Sequence, residues 1–198
     1  MKIKNIHKWF SIIEVMIAIF IFAMWMASIF MVITSSMNVN DLNKNQIIAS
    51  NLASEQIEII KNIRDNNYAN YRKWNYIPNS GNDFSKMLET WQYYKVENDY
   101  SSLEYPFKIS EITDFWEWKS EINWKMQNYK LNLDSDNHYT FDTWTWTIFY
   151  KYLKIEELKD DSWNTIDDTL KLNSKVIWYF KWYHEFEINT ILANFNRY

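Results

Sequence analysis

The chain of 198 residues contains no cysteine, one glycine and two prolines. The absence of cysteine excludes disulfide cross-links, thiolate metal ligands and a cysteine nucleophile. The formal net charge is -4 and no basic block is present, which argues against a nucleic-acid partner, because such a partner requires a concentrated cationic face. Hydrophobic residues make up 47% of the chain, so we expect a packed core.

Glycine is scarce and tryptophan is abundant. The chain has 1 glycine and 12 tryptophans, whereas a chain of this length carries about 14 glycines at the usual frequency of roughly 7%. Trp144, Trp146 and Trp163 lie among small polar residues, and Trp182 lies between two strand-like runs. Such turn-like positions favour glycine, which adopts a positive φ without steric cost.

We therefore hypothesise that most or all of the tryptophans are glycine in the native protein, through UGA codons read as glycine in an AT-rich genome. The alternative is a surface that is truly rich in tryptophan, as in sugar-binding or membrane-interface proteins. Peptide mass spectrometry of the native protein tests the hypothesis, and indole-containing peptides at these positions would refute it.

Residues 10–33 form one apolar run, FSIIEVMIAIFIFAMWMASIFMVI, in which Glu14 is the single charge. As a helix rising about 1.5 Å per residue, it spans roughly 36 Å, enough to cross a hydrocarbon core of about 30 Å. The apolar region of a secretory signal is shorter, roughly 7–15 residues. Lys2, Lys4 and Lys8 precede the run and the next charge is Asp41. The positive-inside rule thus places the N-terminus in the cytoplasm and most of the chain outside.

Residues 8–18, KWFSIIEVMIA, resemble the processing motif of type IV prepilins and pseudopilins. In that family a short basic leader ends in glycine, the next residue is usually Phe and becomes N-methylated, and the fifth mature residue is Glu. The resemblance implies that residues 1–9 are the leader, that cleavage falls between Trp9 and Phe10, and that Phe10 is methylated. Trp9 departs from the family glycine: a bulky indole would block processing, whereas a glycine there would complete the motif.

Glu14 falls on the family glutamate. A carboxylate within a bilayer costs about 3 kcal/mol on insertion scales, so it usually has a partner. The resemblance implies that Glu14 neutralises the new N-terminal amine of Phe10 on a neighbouring subunit and so sets the register of assembly. The alternative is a glutamate near the end of the helix whose side chain extends to the lipid headgroups.

The pattern beyond the apolar run predicts an α+β fold. Isoleucines and leucines recur on one helix face, at Ile47, Ile48, Leu52, Ile59, Ile60 and Ile63, and the polar residues 65–67 predict the helix end. A break near residues 34–40, giving two helices, is the alternative. Strand-like runs follow at 107–112, 129–133, 146–155, 170–180 and 183–192, the last two forming a hairpin.

The resulting division of the chain is pilin-like, with a long N-terminal helix packed against a C-terminal antiparallel sheet. The segments are a leader (1–9), a transmembrane and assembly helix (10–34), its amphipathic continuation (35–66), a variable connecting region (67–105) and a β-rich outer domain (106–198).

We expect no enzymatic activity and no cofactor. The three histidines lack metal-ligand spacing, and the sequence contains no glycine-rich phosphate loop. Asp134, Asp136 and the nearby Asp142 could offer oxygen ligands to Ca²⁺. The glycine and the distal glutamate of an EF-hand loop are missing, however, and we favour a solvated turn.

The resemblance implies a structural subunit, a minor pilin or pseudopilin of a type IV pilus or of a type II secretion-like filament. Its partners would be other pilin subunits, a prepilin peptidase and a membrane assembly platform. It would lie in the bacterial cytoplasmic membrane as a single-pass protein and, after assembly, in a cell-surface filament. The alternative is a membrane-anchored extracellular binding or adhesin module that does not polymerise.

Overall fold

The structure is a computed structural model that describes residues 11–78, 86–100, 106–115, 124–142 and 145–195. The chain divides into two compact units, and the boundary falls between Lys44 and Asn45. One helix, α1 (Ile12–Ala69, 58 residues), is continuous through this boundary. The alternative of a break near residues 34–40 is therefore wrong.

The helix ends a little later than the polar residues 65–67 predicted. Its last residue is Ala69, and Tyr71 then takes a left-handed conformation with φ 55°. The N–H of Arg72 donates to the carbonyl of Asn67 at 2.8 Å, which satisfies one of the last free carbonyls of the helix. The helix thus closes with a left-handed cap in which tyrosine occupies the position that glycine usually takes.

The second unit contains nine described strands and a 3₁₀ helix. Their bounds are β1 (Tyr76–Ile77), β2 (Lys86–Met87), β3 (Tyr93–Asn98), β4 (Phe107–Glu111), the 3₁₀ helix (Trp124–Tyr129), β5 (Lys130–Leu133), β6 (Tyr139–Thr140), β7 (Thr145–Glu156), β8 (Thr169–Phe180) and β9 (Trp182–Ala193).

Strands β3 to β9 form one seven-stranded antiparallel sheet, and β1 pairs with β2 in a separate two-stranded sheet. Strand β7 is central. One of its edges pairs with β8 along the register Phe149↔Trp178 to Glu156↔Lys171, and the other edge pairs with β5 and β3 in succession. Strand β4 pairs with β3, β6 pairs with β5, and β9 pairs with β8, so these three strands extend the sheet outward.

Alternation along β7 distributes its side chains between the two faces of the sheet. Leu153 and Ile155 join a buried cluster with Ile60 and Ile63 of α1, so the helix covers this face. The intervening Tyr152 points to the opposite face, into a cluster with Tyr129 and Met126 of the 3₁₀ helix. The predicted α+β fold is confirmed.

The five predicted strands correspond to β4, β5, β7, β8 and β9, and the terminal hairpin is confirmed by the β8–β9 register. Strand β3 was not predicted, because it lies within the segment 67–105 that was interpreted as a connection. Its inward residues Tyr94 and Val96 are fully buried, so this segment contributes to the core. The alternation of Tyr94, Lys95 and Val96 was the available signal.

Candidate membrane and assembly helix

The first unit contains an apolar helix on which no other described residue packs. Side chains of residues 11–41 are all exposed, although an 18-residue window of this segment has a mean hydropathy of 2.6. Exposure of so many large apolar groups to water is unfavourable, at about 25 cal/mol per Å². By length and composition α1 could cross a membrane, near the N-terminus, and it is the one such helix in the described ranges.

Glu14 lies in the first turn of α1 and is exposed. The carbonyl of Ser11 accepts hydrogen bonds from the N–H of Glu14 at 2.9 Å and of Val15 at 3.3 Å, which begins the helix. A carboxylate in the first turn interacts favourably with the positive end of the helix dipole. Trp9 and Phe10, the predicted cleavage and methylation residues, lie outside the described residues.

Two hydroxyl groups of the exposed helix, those of Ser28 and Thr34, bond to the helix backbone itself. The Oγ of Ser28 donates to the carbonyl of Met24 at 3.0 Å, and Oγ1 of Thr34 donates to that of Phe30 at 2.6 Å. These bonds satisfy the hydroxyls without a partner from another chain, which removes the main cost of placing serine and threonine in lipid.

In the second unit, residues 45–69 of α1 pack on the sheet through leucine and isoleucine side chains and, at two positions, through alanine. Ala49 and Ala53 are fully buried, and so is the amide side chain of Gln56. The Nε2 of Gln56 donates to Oγ of Ser174 at 2.9 Å, and that hydroxyl donates to the carbonyl of Ala53 at 2.9 Å. The predicted apolar face is correct except at Ile47, whose side chain is exposed.

A buried ionic group between α1 and the sheet was missed by sequence reasoning. Lys151 of β7 is fully buried, and its Nζ lies 3.4 Å from Oε2 of Glu55 on α1. The Nδ2 of Asn98 donates to Oε1 of the same carboxylate at 2.8 Å. The signal available in the sequence was the alternation of β7: Lys151 lies two residues from both Phe149 and Leu153, so its side chain shares their inward face.

The candidate calcium residues do not converge. Both carboxylate oxygens of Asp134 are engaged within their own loop: Oδ1 accepts the N–H groups of Asp136 at 2.9 Å and His138 at 2.8 Å, and Oδ2 lies 3.2 Å from the His138 ring. These hydrogen bonds, first that from the His138 backbone, lower the pKa of Asp134. Asp142 instead lies 4.0 Å from the Nζ of Lys108. In the described ranges, no group of three acidic, histidine or cysteine residues could hold a metal.

A second loop repeats this geometry around Trp163. The Oδ1 of Asp160 accepts the N–H groups of Ser162 and Asn164, both at 2.8 Å, as Asp134 does in its loop. The fourth residue of each loop has φ 65°: it is Asn137 in the first and Trp163 in the second. Asparagine tolerates this left-handed conformation, whereas a bulky residue is strained in it.

The other tryptophans that were predicted to lie in turns do not have a positive φ where the structure describes them. Trp146 is an exposed residue within β7, and Trp182 begins β9, with the positive φ at Lys181 instead. Trp144 lies outside the described residues. Trp91, which was not singled out, has φ 64°. Local composition therefore predicted a positive φ correctly at Trp163 but wrongly at Trp146 and Trp182.

A search of protein families, of curated proteins and of solved structures finds no match to the chain.

Proposed function

We propose that the chain is a prepilin-type filament subunit, a minor pilin or pseudopilin of a type IV pilus or of a type II secretion-like filament. The observation that supports this most is the arrangement of α1. Its exposed, largely apolar residues 11–33 come first, and the same helix continues into a segment that packs on an antiparallel sheet. In such a subunit, the apolar part of the helix would hold the chain in the membrane and the packed part would carry the outer domain.

The apolar segment requires a cover in either state. In the membrane, lipid surrounds it. In a filament outside the membrane, the corresponding helices of other subunits must take the place of lipid, because exposed apolar surface is unfavourable in water. The hydroxyls of Ser28 and Thr34 are already bonded to their own helix, so neither environment leaves them unsatisfied.

Glu14 is the proposed assembly carboxylate. Leader removal would create a positive amine at Phe10, and a Glu14 side chain of a neighbouring subunit would neutralise it. Removing one member of a buried ion pair costs about 3–5 kcal/mol, because the remaining charge is uncompensated.

The replacement Glu14→Ala should therefore lower incorporation into filaments by about 100-fold, using the lower end of that range. Membrane insertion should be unchanged. The matched control is Glu58→Ala, which removes an exposed glutamate from the same helix outside the apolar segment. Sheared filaments and membranes would be compared by immunoblot in cells that carry the assembly machinery. Normal incorporation of the Glu14 variant would exclude this role.

Processing separates this proposal from the second candidate, a membrane-anchored binding module that is never polymerised. The second candidate is favoured by exposed indoles at Trp91, Trp146 and Trp163, which could stack on glycans, and by the bulky residue Trp9 before the expected cleavage point. N-terminal sequencing of the native protein, from cells with an active prepilin peptidase, should begin at methylated Phe10 for a filament subunit. A start at Met1 would refute it.

The Trp9→Gly variant sharpens this experiment. If the native residue is tryptophan and blocks cleavage, the glycine variant alone should be processed. If both forms are processed, the indole is tolerated. If neither is processed, the resemblance to prepilins has no functional basis.

A further inference from the structure

The second unit contains a lysine amine and an asparagine carboxamide held on one carboxylate. The Nζ of Lys151 lies 3.4 Å from Oε2 of Glu55, and the Nδ2 of Asn98 lies 2.8 Å from Oε1. Glu55 is on α1, Lys151 on β7 and Asn98 at the end of β3. Each donor takes a different oxygen of the same group, so one carboxylate bridges the amine and the carboxamide.

The lysine is held away from solvent. It is fully buried, and the ring centroid of Phe141 lies 5.8 Å from its Nζ. Burial lowers the pKa of Lys151, while the charges of Glu55 and Glu97 oppose this effect. A buried amine is more readily neutral than an exposed one, and only the neutral amine carries the lone pair needed for attack on a carbonyl.

One carboxylate oxygen of Glu97 accepts from two other donors. Its Oε2 accepts the hydroxyl of Thr140 at 3.0 Å and the N–H of Phe141 at 2.8 Å. Glu55 is therefore the carboxylate that touches both the amine and the carboxamide, and it is placed to move a proton between them.

We infer that Lys151 and Asn98 form an intramolecular amide cross-link, with Glu55 as the proton carrier. The Nζ of Lys151 attacks Cγ of Asn98, and Oε2 of Glu55 takes the proton that the amine loses. The same carboxyl group returns a proton through Oε1 to Nδ2, the Cγ–Nδ2 bond breaks, and ammonia leaves. One C–N bond forms and one breaks, so the step needs no oxidant, reductant or further reactant.

The cross-link joins strands where their hydrogen-bonded ladder has ended. In the described ranges, β3 and β7 pair at Tyr93↔Lys154 and Tyr94↔Leu153. Beyond these pairs, β7 takes β5 as its neighbour on that edge. A covalent bond from Asn98 to Lys151 would connect β3 to β7 across this divergence, on the face that α1 covers.

Mass spectrometry of the full-length protein purified in detergent tests the inference. The intact mass should be lower by one ammonia than the mass calculated for the residues that peptide sequencing finds at the tryptophan positions, after any leader removal and any N-methylation of Phe10. Trypsin should fail to cleave after Lys151, and the digest should contain one branched peptide that joins the segments around Asn98 and Lys151. A linear peptide ending at Lys151, with an unmodified Asn98 peptide, would overturn the proposal.

Three variants distinguish this cross-link from other losses of ammonia. Lys151→Met removes the nucleophile and Glu55→Gln removes the proton carrier, so each variant should have its own calculated mass, without the loss of ammonia. Glu185→Gln is the matched control, because Glu185 lies at the same 3.4 Å from another lysine, Lys175; it should keep the deficit. A deficit that persists in Lys151→Met would arise from cyclisation of an asparagine instead and would contradict the proposal.

Discussion

Replacing Trp163 by glycine should leave the stability of the protein nearly unchanged or raise it slightly, although it removes a large aromatic side chain. The residue has φ 65°, a left-handed conformation that costs a residue with a Cβ roughly 1–2 kcal/mol. The indole is 81% exposed, so its removal loses little buried apolar surface. Its one aromatic contact in the described ranges is with the Nζ of Lys159, 6.0 Å from the ring centroid. Such an exposed cation–π pair contributes about 0.5 kcal/mol.

Glycine also increases the entropy of the unfolded chain, at a cost of about 0.4–1 kcal/mol. The sum for Trp163→Gly therefore lies between a loss of about 0.5 kcal/mol and a gain of about 1 kcal/mol. Trp163→Asn should gain at least as much, because asparagine tolerates the left-handed conformation with a smaller entropy cost. Asn137 occupies the equivalent position of the matching Asp134 loop, so its replacement by tryptophan should cost about 1–2 kcal/mol.

Trp146→Gly is the control. Trp146 is 72% exposed, comparable to Trp163, but it lies within β7 and its ring is 4.0 Å from the Nζ of Lys130. Glycine within a strand costs about 0.5–1 kcal/mol, and the cation–π pair is also lost. Urea unfolding of the full-length chain in detergent, followed by circular dichroism, measures both changes. If Trp163→Gly lowers the free energy of unfolding as much as Trp146→Gly does, the strain assigned to position 163 is wrong.

Two further predictions concern the second unit. Ser174→Ala removes the hydroxyl that accepts from the buried Gln56 amide at 2.9 Å. It should cost about 1–3 kcal/mol, because one N–H of this buried amide loses its acceptor. The control is Ser50→Ala, which removes a hydroxyl that donates to the carbonyl of Ile47 in its own helix at 3.2 Å and should stay within about 0.5 kcal/mol in the same urea assay. A hydrogen bond from Lys154 at 2.7 Å is the largest cause that lowers the pKa of Glu156 below its ordinary value of 4.5. The contribution of Glu156 to stability is thus complete above pH 4.5 and is lost as the pH falls through the lowered value. Glu156→Gln should flatten this part of the stability–pH curve, and an unchanged curve would contradict the assignment.

The elements that the sequence predicted are those with local patterns. The apolar run of α1 and the alternation in β7, β8 and β9 are visible in windows of about ten residues, and the structure contains them with nearly the same bounds. The helix end was predicted early, because the polar residues at 65–67 suggested exposure. Asn67 is in fact buried, and its Nδ2 donates to the carbonyl of Tyr76 at 2.7 Å.

The features that sequence reasoning missed depend on residues distant in the chain. Lys151 occupies an inward position of a strand, where a charge is expected only with a partner. That partner, Glu55, is separated from it by 96 residues, and a single sequence contains no signal that connects them. The positive φ of Trp91 is similar: its N–H donates to the carbonyl of Ile155 at 2.7 Å, a contact that local composition cannot specify.

The glycine hypothesis has opposite consequences at Trp163 and Trp178. At Trp163, glycine relieves a strained φ and loses little burial. Trp178 is instead 3% exposed and packs between Phe149 and His184. Truncating a buried tryptophan costs about 3–5 kcal/mol, yet its Nε1 is buried without a hydrogen-bond partner among the described residues, which itself costs about 1–3 kcal/mol. A native chain with glycine at both positions must therefore fill the space beside Phe149 in another way, whereas a chain with glycine at 163 alone needs no such rearrangement. Position 178 therefore distinguishes two forms of the hypothesis: glycine at all the tryptophan positions requires this part of the core to repack, whereas glycine at most of them, with tryptophan kept at 178, does not.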